Sequence, residues 1–353
     1  MSGFLSWITS LFSRQPATTS QPHQSTRLFN PAESDNHKTP ETQNDWIGQL
    51  EGNLFAWLLE TEPKKLDAAP SERAAFEPAL EALEERIATG KLEELPRQPG
   101  TLPLLLKALS AETTERRQIS RIILSDPVLT EHLLQIVNSP FFRYNQNRIE
   151  SVDQAVFVLG LNGIRSVAAA AMMRPMMSAR NSREALFAQR AWRWTLTCAR
   201  ATEMIAKLRG QNTSAYFVVG LMPGLAYLTI RREMVRITRT LDSSADPSPA
   251  LIRAAITRYQ WHVCQVLANT WNLPPKYHAW LLSAERPAPG QPHSPMTDGL
   301  LLGSREILRH AHQRNLPERE LYEILHLPPE DITRVRTSLM DMLEEGKTSP
   351  TSG

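Results

Sequence analysis

The stretch VVGLMPGLAYL (Val218–Leu228) is apolar almost throughout, yet Pro223 and Gly224 stand side by side in its middle. It lies among segments with helical spacing, so it reads as a core helix that the Pro-Gly pair is free to break or kink. Working outward, DWIGQLEGNLFAWLLE places Trp46, Leu50, Leu54, Trp57 and Leu58 at spacings of three and four. A second helix is expected through SERAAFEPALEALEERIATG, with Ser71 as its cap and Gly90 as its close. ISRIILSDPVLTEHLLQIVNSP predicts one helix ending before Asp126-Pro127 and another ending near Asn138. Ser151 and Gln154 have capping-box spacing, and Gly160 and Gly163 punctuate the next joint. Ser248-Pro249 opens a helix with Ile252, Ile256, Tyr259, Val263 and Val266 on one face. No alternating strand pattern appears, so the expected fold is all-α, compact and multi-helical.

The chain has 353 residues, 41% hydrophobic and 22% charged, with a formal net charge of +2. That near-balance gives no global field toward nucleic acid, and no nucleic-acid partner is expected. Continuous apolar runs are read as too short for a membrane span. Cys198 and Cys264, far apart and within apolar helical faces, indicate neither a disulfide framework nor a zinc ribbon, which fits a reducing cytoplasm.

The first segment, MSGFLSWITSLFSR, puts Phe4, Leu5, Trp7, Ile8, Leu11 and Phe12 on one half of a helical wheel and its Ser, Thr and Arg residues on the other. Residues 1–14 are therefore expected to be an amphipathic helix that forms against a surface: a membrane interface, a partner groove or the protein's own domain. Residues 15–43, rich in Pro, Ser, Thr, Gln and Asn, are expected to be a disordered linker. The remaining chain divides into a helical extension (44–94), a main domain (95–290), C-terminal helices (298–345) and a disordered tail (346–353).

Taken in order, LPRQPGTLPLLLKAL, RIILSDPVLTEHLLQIVNSPFF, SVDQAVFVLGLNGIRSV, AWRWTLTCARA, FVVGLMPGLAYL and VLANTWNLPPKY resemble the HDOD family, the HD-related output domain, over about Leu95 to Pro289. This family is a bacterial all-α module related to HD-superfamily phosphohydrolases. In those catalytic relatives His and Asp side chains gather around one or two divalent metals, which activate water and polarise a phosphoryl oxygen. By the resemblance, the first His position is Trp194, the His-Asp dyad falls on Pro223 and Gly224, and His262 alone stands where a ligand is often found. One imidazole does not make a hydrolytic metal site, so neither metal nor other cofactor is expected. Trp192, Trp194, Trp261, Trp271 and Trp280 fall in the segments that would surround the site, and Trp194 is expected to fill the vacated volume as core or as a partner-binding surface.

Walker, Rossmann and nucleophile-elbow motifs do not occur. Arg232, Arg236 and Arg239 share a helical face, either a solvated basic surface or a contact for phosphates or acidic partners. His310 and His312, two apart on a helix, are expected to point to different faces. The resemblance implies a non-catalytic signal-transduction adaptor that binds signalling proteins in the bacterial cytoplasm, at the inner membrane if residues 1–14 anchor it there. The alternative is a diverged phosphohydrolase or nucleotide-binding module.

Overall fold

The structure, a computed structural model, describes residues 41–110, 115–139, 141–142, 147–242, 246–285, 294–325 and 327–345. The amphipathic segment 1–14, most of the linker and the tail lie outside the described residues. Within them the chain forms only helices. These are α1 (Glu41–Leu58), α2 (Pro70–Ala88), α3 (Leu102–Ser110), α4 (Arg116–Leu124), α5 (Pro127–Val137), α6 (Val152–Met173), α7 (Ser182–Leu208), α8 (Thr213–Leu241), α9 (Pro249–Thr270), α10 (Pro275–Glu285), α11 (Pro295–His310), α12 (Glu318–Ile324) and α13 (Pro329–Glu345), with 3-10 turns at Pro63–Leu66 and Arg174–Met177.

Local chemistry sets most boundaries. Asp126 ends the α4 segment and caps α5, its Oδ1 accepting from Leu129 N at 3.0 Å, while Pro127 pre-sets the first turn. Ser151 Oγ accepts from Gln154 N at 3.1 Å and Gln154 Oε1 from Glu150 N at 2.9 Å, opening α6. Ser248 Oγ caps α9 through Leu251 N at 3.2 Å. Gly160 has φ +65°, a left-handed conformation that puts the bend inside α6.

Four sequence expectations need correction. Residues 41–43, assigned to the linker, already belong to α1. Ser71 does not cap α2: the helix begins at Pro70, and Glu72 Oε2 reaches back to Ala69 N at 2.9 Å. Val152–Met177 and Thr213–Leu241 do reach the length and hydropathy of a membrane span; they are apolar because they line the core, and the second is almost wholly covered by protein. Finally, Pro223 does not break its helix, for α8 runs through it from Thr213 to Leu241.

The core is built around α7 and α8, which lie against each other. α11 packs along another side of α7, and α9, α6 and α2 cover α8. The helices after residue 290 are thus part of the central packing, with α11 seated on α7 and α13 touching both. α1 docks on α7 and α11, burying Leu50, Leu54, Phe55 and Leu58.

Candidate functional site

Trp194, Pro223, Gly224 and His262, the positions that the resemblance sets against HD-type ligands, lie on α7, α8 and α9. Trp194 on α7 is fully buried, stacked on Tyr227 of α8 with ring centroids 4.6 Å apart. Its indole Nε1 donates to Ser304 Oγ of α11 at 2.8 Å, so a bulky ring has both its apolar faces and its polar edge satisfied inside the protein. Tyr227 in turn stacks on Phe55 of α1 at 6.0 Å. Trp194 is therefore a core residue, and the expectation that it could form an interaction surface is corrected.

Gly224 has a different explanation from the one its neighbour suggested. A Cβ at this position would come within 2.8 Å of Thr195 Cβ and 2.9 Å of Thr195 Cγ2, with Oγ1 closer still. One turn earlier, a Cβ on Gly220 would meet Ala199 Cα at 2.7 Å. Gly220 and Gly224, four apart and on one face of α8, let its backbone approach α7 too closely for any side chain. The same device recurs on α11. There Gly299 would place a Cβ 2.6 Å from Thr202 Cα, and Gly303 would place one 2.6 Å from Cys198 Cα. α7 is gripped by a glycine pair from each neighbour, and Thr202 lies against both.

A metal does not fit these positions. Proline and glycine side chains offer no donor atom, the indole is engaged with Ser304, and the α7–α8 approach at Gly224 leaves no room for an ion and its water. His262, half-buried on α9, makes an edge contact with Tyr259 at 6.3 Å. Burial pushes the thiols of Cys198 and Cys264 well above the usual range, which suits inert packing rather than nucleophilic chemistry. Among the described residues, Thr195 Oγ1, the Tyr227 hydroxyl and both amide atoms of Gln260 are buried without a protein hydrogen-bond partner, the type of group that internal water serves. Of the other tryptophans, Trp271 donates to Pro96 O at 3.0 Å, Trp192 lies beneath Arg174 at 5.3 Å, and Trp280 stacks on Tyr216 at 4.2 Å.

The basic face of α8 is engaged in ion pairs within the chain, with Arg236 and Arg239 also solvated. Arg232 is buried, with its Nε 2.6 Å from Glu184 and its terminal nitrogens on Ser178 O (2.8 Å) and Met176 O (3.4 Å). Arg236 pairs with Glu93 and stands 3.7 Å from Glu94, and Arg239 reaches Asp246 at 2.9 Å. The three share a face, as the wheel indicates, but each holds an acid of its own chain. They tie α8 to the segment before α3, to α7 and to the α8–α9 connection.

Charged residues that the sequence reading passed over lie deepest. Glu233 on α8, fully buried, accepts from Arg86 of α2 at 2.7 Å and from Glu94 N at 2.8 Å, pinning the N-terminal extension. Asp298, in the first turn of α11, receives Arg209 at 2.6 Å. Glu306 of α11, also fully buried, faces Arg305, Arg336 of α13 (2.9 Å) and Arg309 (3.6 Å), while Arg305 Nε donates to Leu316 O. Arg336 continues to Glu318, whose carboxyl it holds, with Tyr322, down at about 2. His310 is buried 3.3 Å from Arg193, whereas exposed His312 lies just past the end of α11.

The comparisons agree with this architecture. A proposed metal-dependent phosphohydrolase from Shewanella amazonensis SB2B superposes with a TM-score of 0.55 at 17% identity, covering 76% of this chain and 99% of that one. An HDOD-domain protein of unknown function from Geobacter sulfurreducens gives a TM-score of 0.51 at 18% identity, covering 76% and 95%. At such identities the likeness concerns the fold alone. Comparison with curated proteins gave no match. The HDOD domain itself matches residues 95–287, more than half of the chain, and the protein belongs to the HDOD family.

Proposed function

We propose that this HDOD protein is a non-catalytic signalling adaptor that acts through protein–protein interaction in the bacterial cytoplasm. The observation that supports this reading is the close approach of α8 to α7: Gly220 lies against the Ala199 backbone and Gly224 against the Thr195 side chain, on the helices that would otherwise present metal ligands. With no ligand set to activate water, a hydrolytic route has no nucleophile at this site. What the domain offers is a rigid helical scaffold, with a linker sequence and an amphipathic segment ahead of it to position it.

The test has two arms. Purified protein supplied with manganese, iron or zinc is assayed against cyclic dinucleotides and model phosphodiesters, and no turnover above the metal-only control is expected. In parallel, tagged full-length chain and a version lacking residues 1–43 capture partners from native cells. A partner retained by both, and bound directly when purified, supports recognition by the folded domain. Metal-dependent turnover abolished by His262→Ala would replace the adaptor reading with a phosphohydrolase one.

A further inference from the structure

Among the described residues, three of the six large exposed apolar side chains lie around one joint. Leu124 ends α4 with 53% of its surface exposed, and Val128, in the first turn of α5, shows 60%. Asp126 between them is hydrogen-bonded by Thr101 Oγ1 at 3.4 Å, which brings the start of α3 to the same joint, and Leu104, one turn further along α3, is 56% exposed. Pro103 and Pro127 are exposed there too. On α4 the buried face is Ile119, Ser120 and Ile123; Arg117, Arg121 and Leu124 fall within an arc of about 60° centred roughly 120° round the helix from it. Arg116, Arg117 and Arg121 are exposed, α4 contains no acid, and no carboxylate among the described residues pairs with them. This sets them apart from Arg232, Arg236 and Arg239.

We propose that the α3–α4–α5 joint is a membrane-contact surface that binds anionic phospholipid, with Leu104, Leu124 and Val128 entering the interface and Arg117 and Arg121 meeting the headgroups. Guanidinium groups that no described carboxylate pairs with, beside exposed aliphatic side chains, match a surface that is negatively charged outside and apolar beneath. A nucleic acid would use the arginines but leave the aliphatic residues exposed. The surface also complements the amphipathic segment 1–14, whose single Arg14 gives it an apolar face with little electrostatic attraction. Stable peripheral attachment takes two weak signals, and this surface supplies the second. The inference is independent of the adaptor reading.

Cosedimentation of the full-length chain with vesicles of phosphatidylglycerol and phosphatidylethanolamine, against phosphatidylcholine alone, tests it. Binding is expected only to the anionic vesicles and to weaken with salt. R117A/R121A should reduce the partition coefficient roughly thirtyfold, at about fivefold per arginine. L124S/V128S should reduce it about tenfold or more, with unchanged circular dichroism because both residues are exposed. A chain lacking residues 2–14 should keep weak salt-sensitive binding that R117A/R121A removes. Unchanged partition of both double variants would overturn the proposal, as would loss of all binding on deleting residues 2–14. So would arginine-dependent binding to vesicles and duplex DNA alike, insensitive to L124S/V128S; that result would assign the surface to phosphate rather than to a bilayer.

Discussion

The centre of the molecule and its α3–α5 joint use the same residue types to opposite ends. At the centre, α7 is clasped by Gly220 and Gly224 on one side and Gly299 and Gly303 on another, Trp194 is sealed between Tyr227 and Ser304, and every arginine of the α8 face has an acid partner. At the joint, leucine and valine are exposed and arginines stand without described acids. The difference teaches where to look for function. The region that the family resemblance sets against a metal site is closely packed, and the exposed apolar and basic residues lie away from it.

That contrast can be broken most forcefully at Trp194. Truncation to Ala removes a fully buried ring and its hydrogen bond, and a loss of about 3–5 kcal/mol is expected in denaturant unfolding. Stability within error of the parent would mean the ring fills no essential volume. A similar loss, about 3–5 kcal/mol, is expected for Glu306→Ala, which leaves Arg305 and Arg336 buried against an empty position. Gly224→Ala should cost about 1–3 kcal/mol or more through overpacking against Thr195, whereas Gly100→Ala, with open space around it, should change stability by a few tenths of a kcal/mol.

Smaller effects sharpen the same comparison. Thr195→Val replaces a buried hydroxyl without a protein partner by an apolar group of similar shape and is expected to be neutral or slightly stabilising. The exposed end of the Arg336 network gives a pH signature. Glu318 is held down at about 2 against an ordinary value near 4.5, so its folded pKa is the depressed one. Its contribution is fully present above the unfolded value and is lost as pH falls from about 4.5 to 2. Unfolding midpoints measured across that window should fall more steeply for the parent than for Glu318→Gln, and parallel curves would remove Glu318 from the account. The effect is modest because the carboxylate is half exposed.

Much of this was legible in the sequence, for physical reasons. The caps at Asp126, Ser151 and Ser248 are local, so a few adjacent residues determine them, and three-and-four spacing marks a helix before anything packs on it. That Pro223 and Gly224 carry no side-chain donors was legible for the same reason, since it holds whatever surrounds them. The purpose of Gly224 was not, because the reason for a glycine lies on another helix: its four-residue spacing from Gly220 is visible, but Thr195 as the obstacle is not. Arg232, Arg236 and Arg239 failed similarly. A wheel shows a shared face and cannot show that Glu93 and Glu184, distant in sequence, and Asp246, in the following connection, come to meet it. Glu306 and Arg336 were passed over, because burial of a charge is decided by which neighbour supplies its counter-charge.

Trp194, Pro223 and Gly224, the positions that the resemblance sets against metal ligands, are buried in helix packing, and metal content is the first thing to measure. Full-length protein, purified without chelator, reconstituted with iron, manganese and zinc and then freed of excess metal, is measured by elemental analysis. No stoichiometric metal of any kind is expected, either in the parent or in His262→Ala. One or two equivalents retained by the parent and lost from His262→Ala would contradict it and restore a metal centre to this fold.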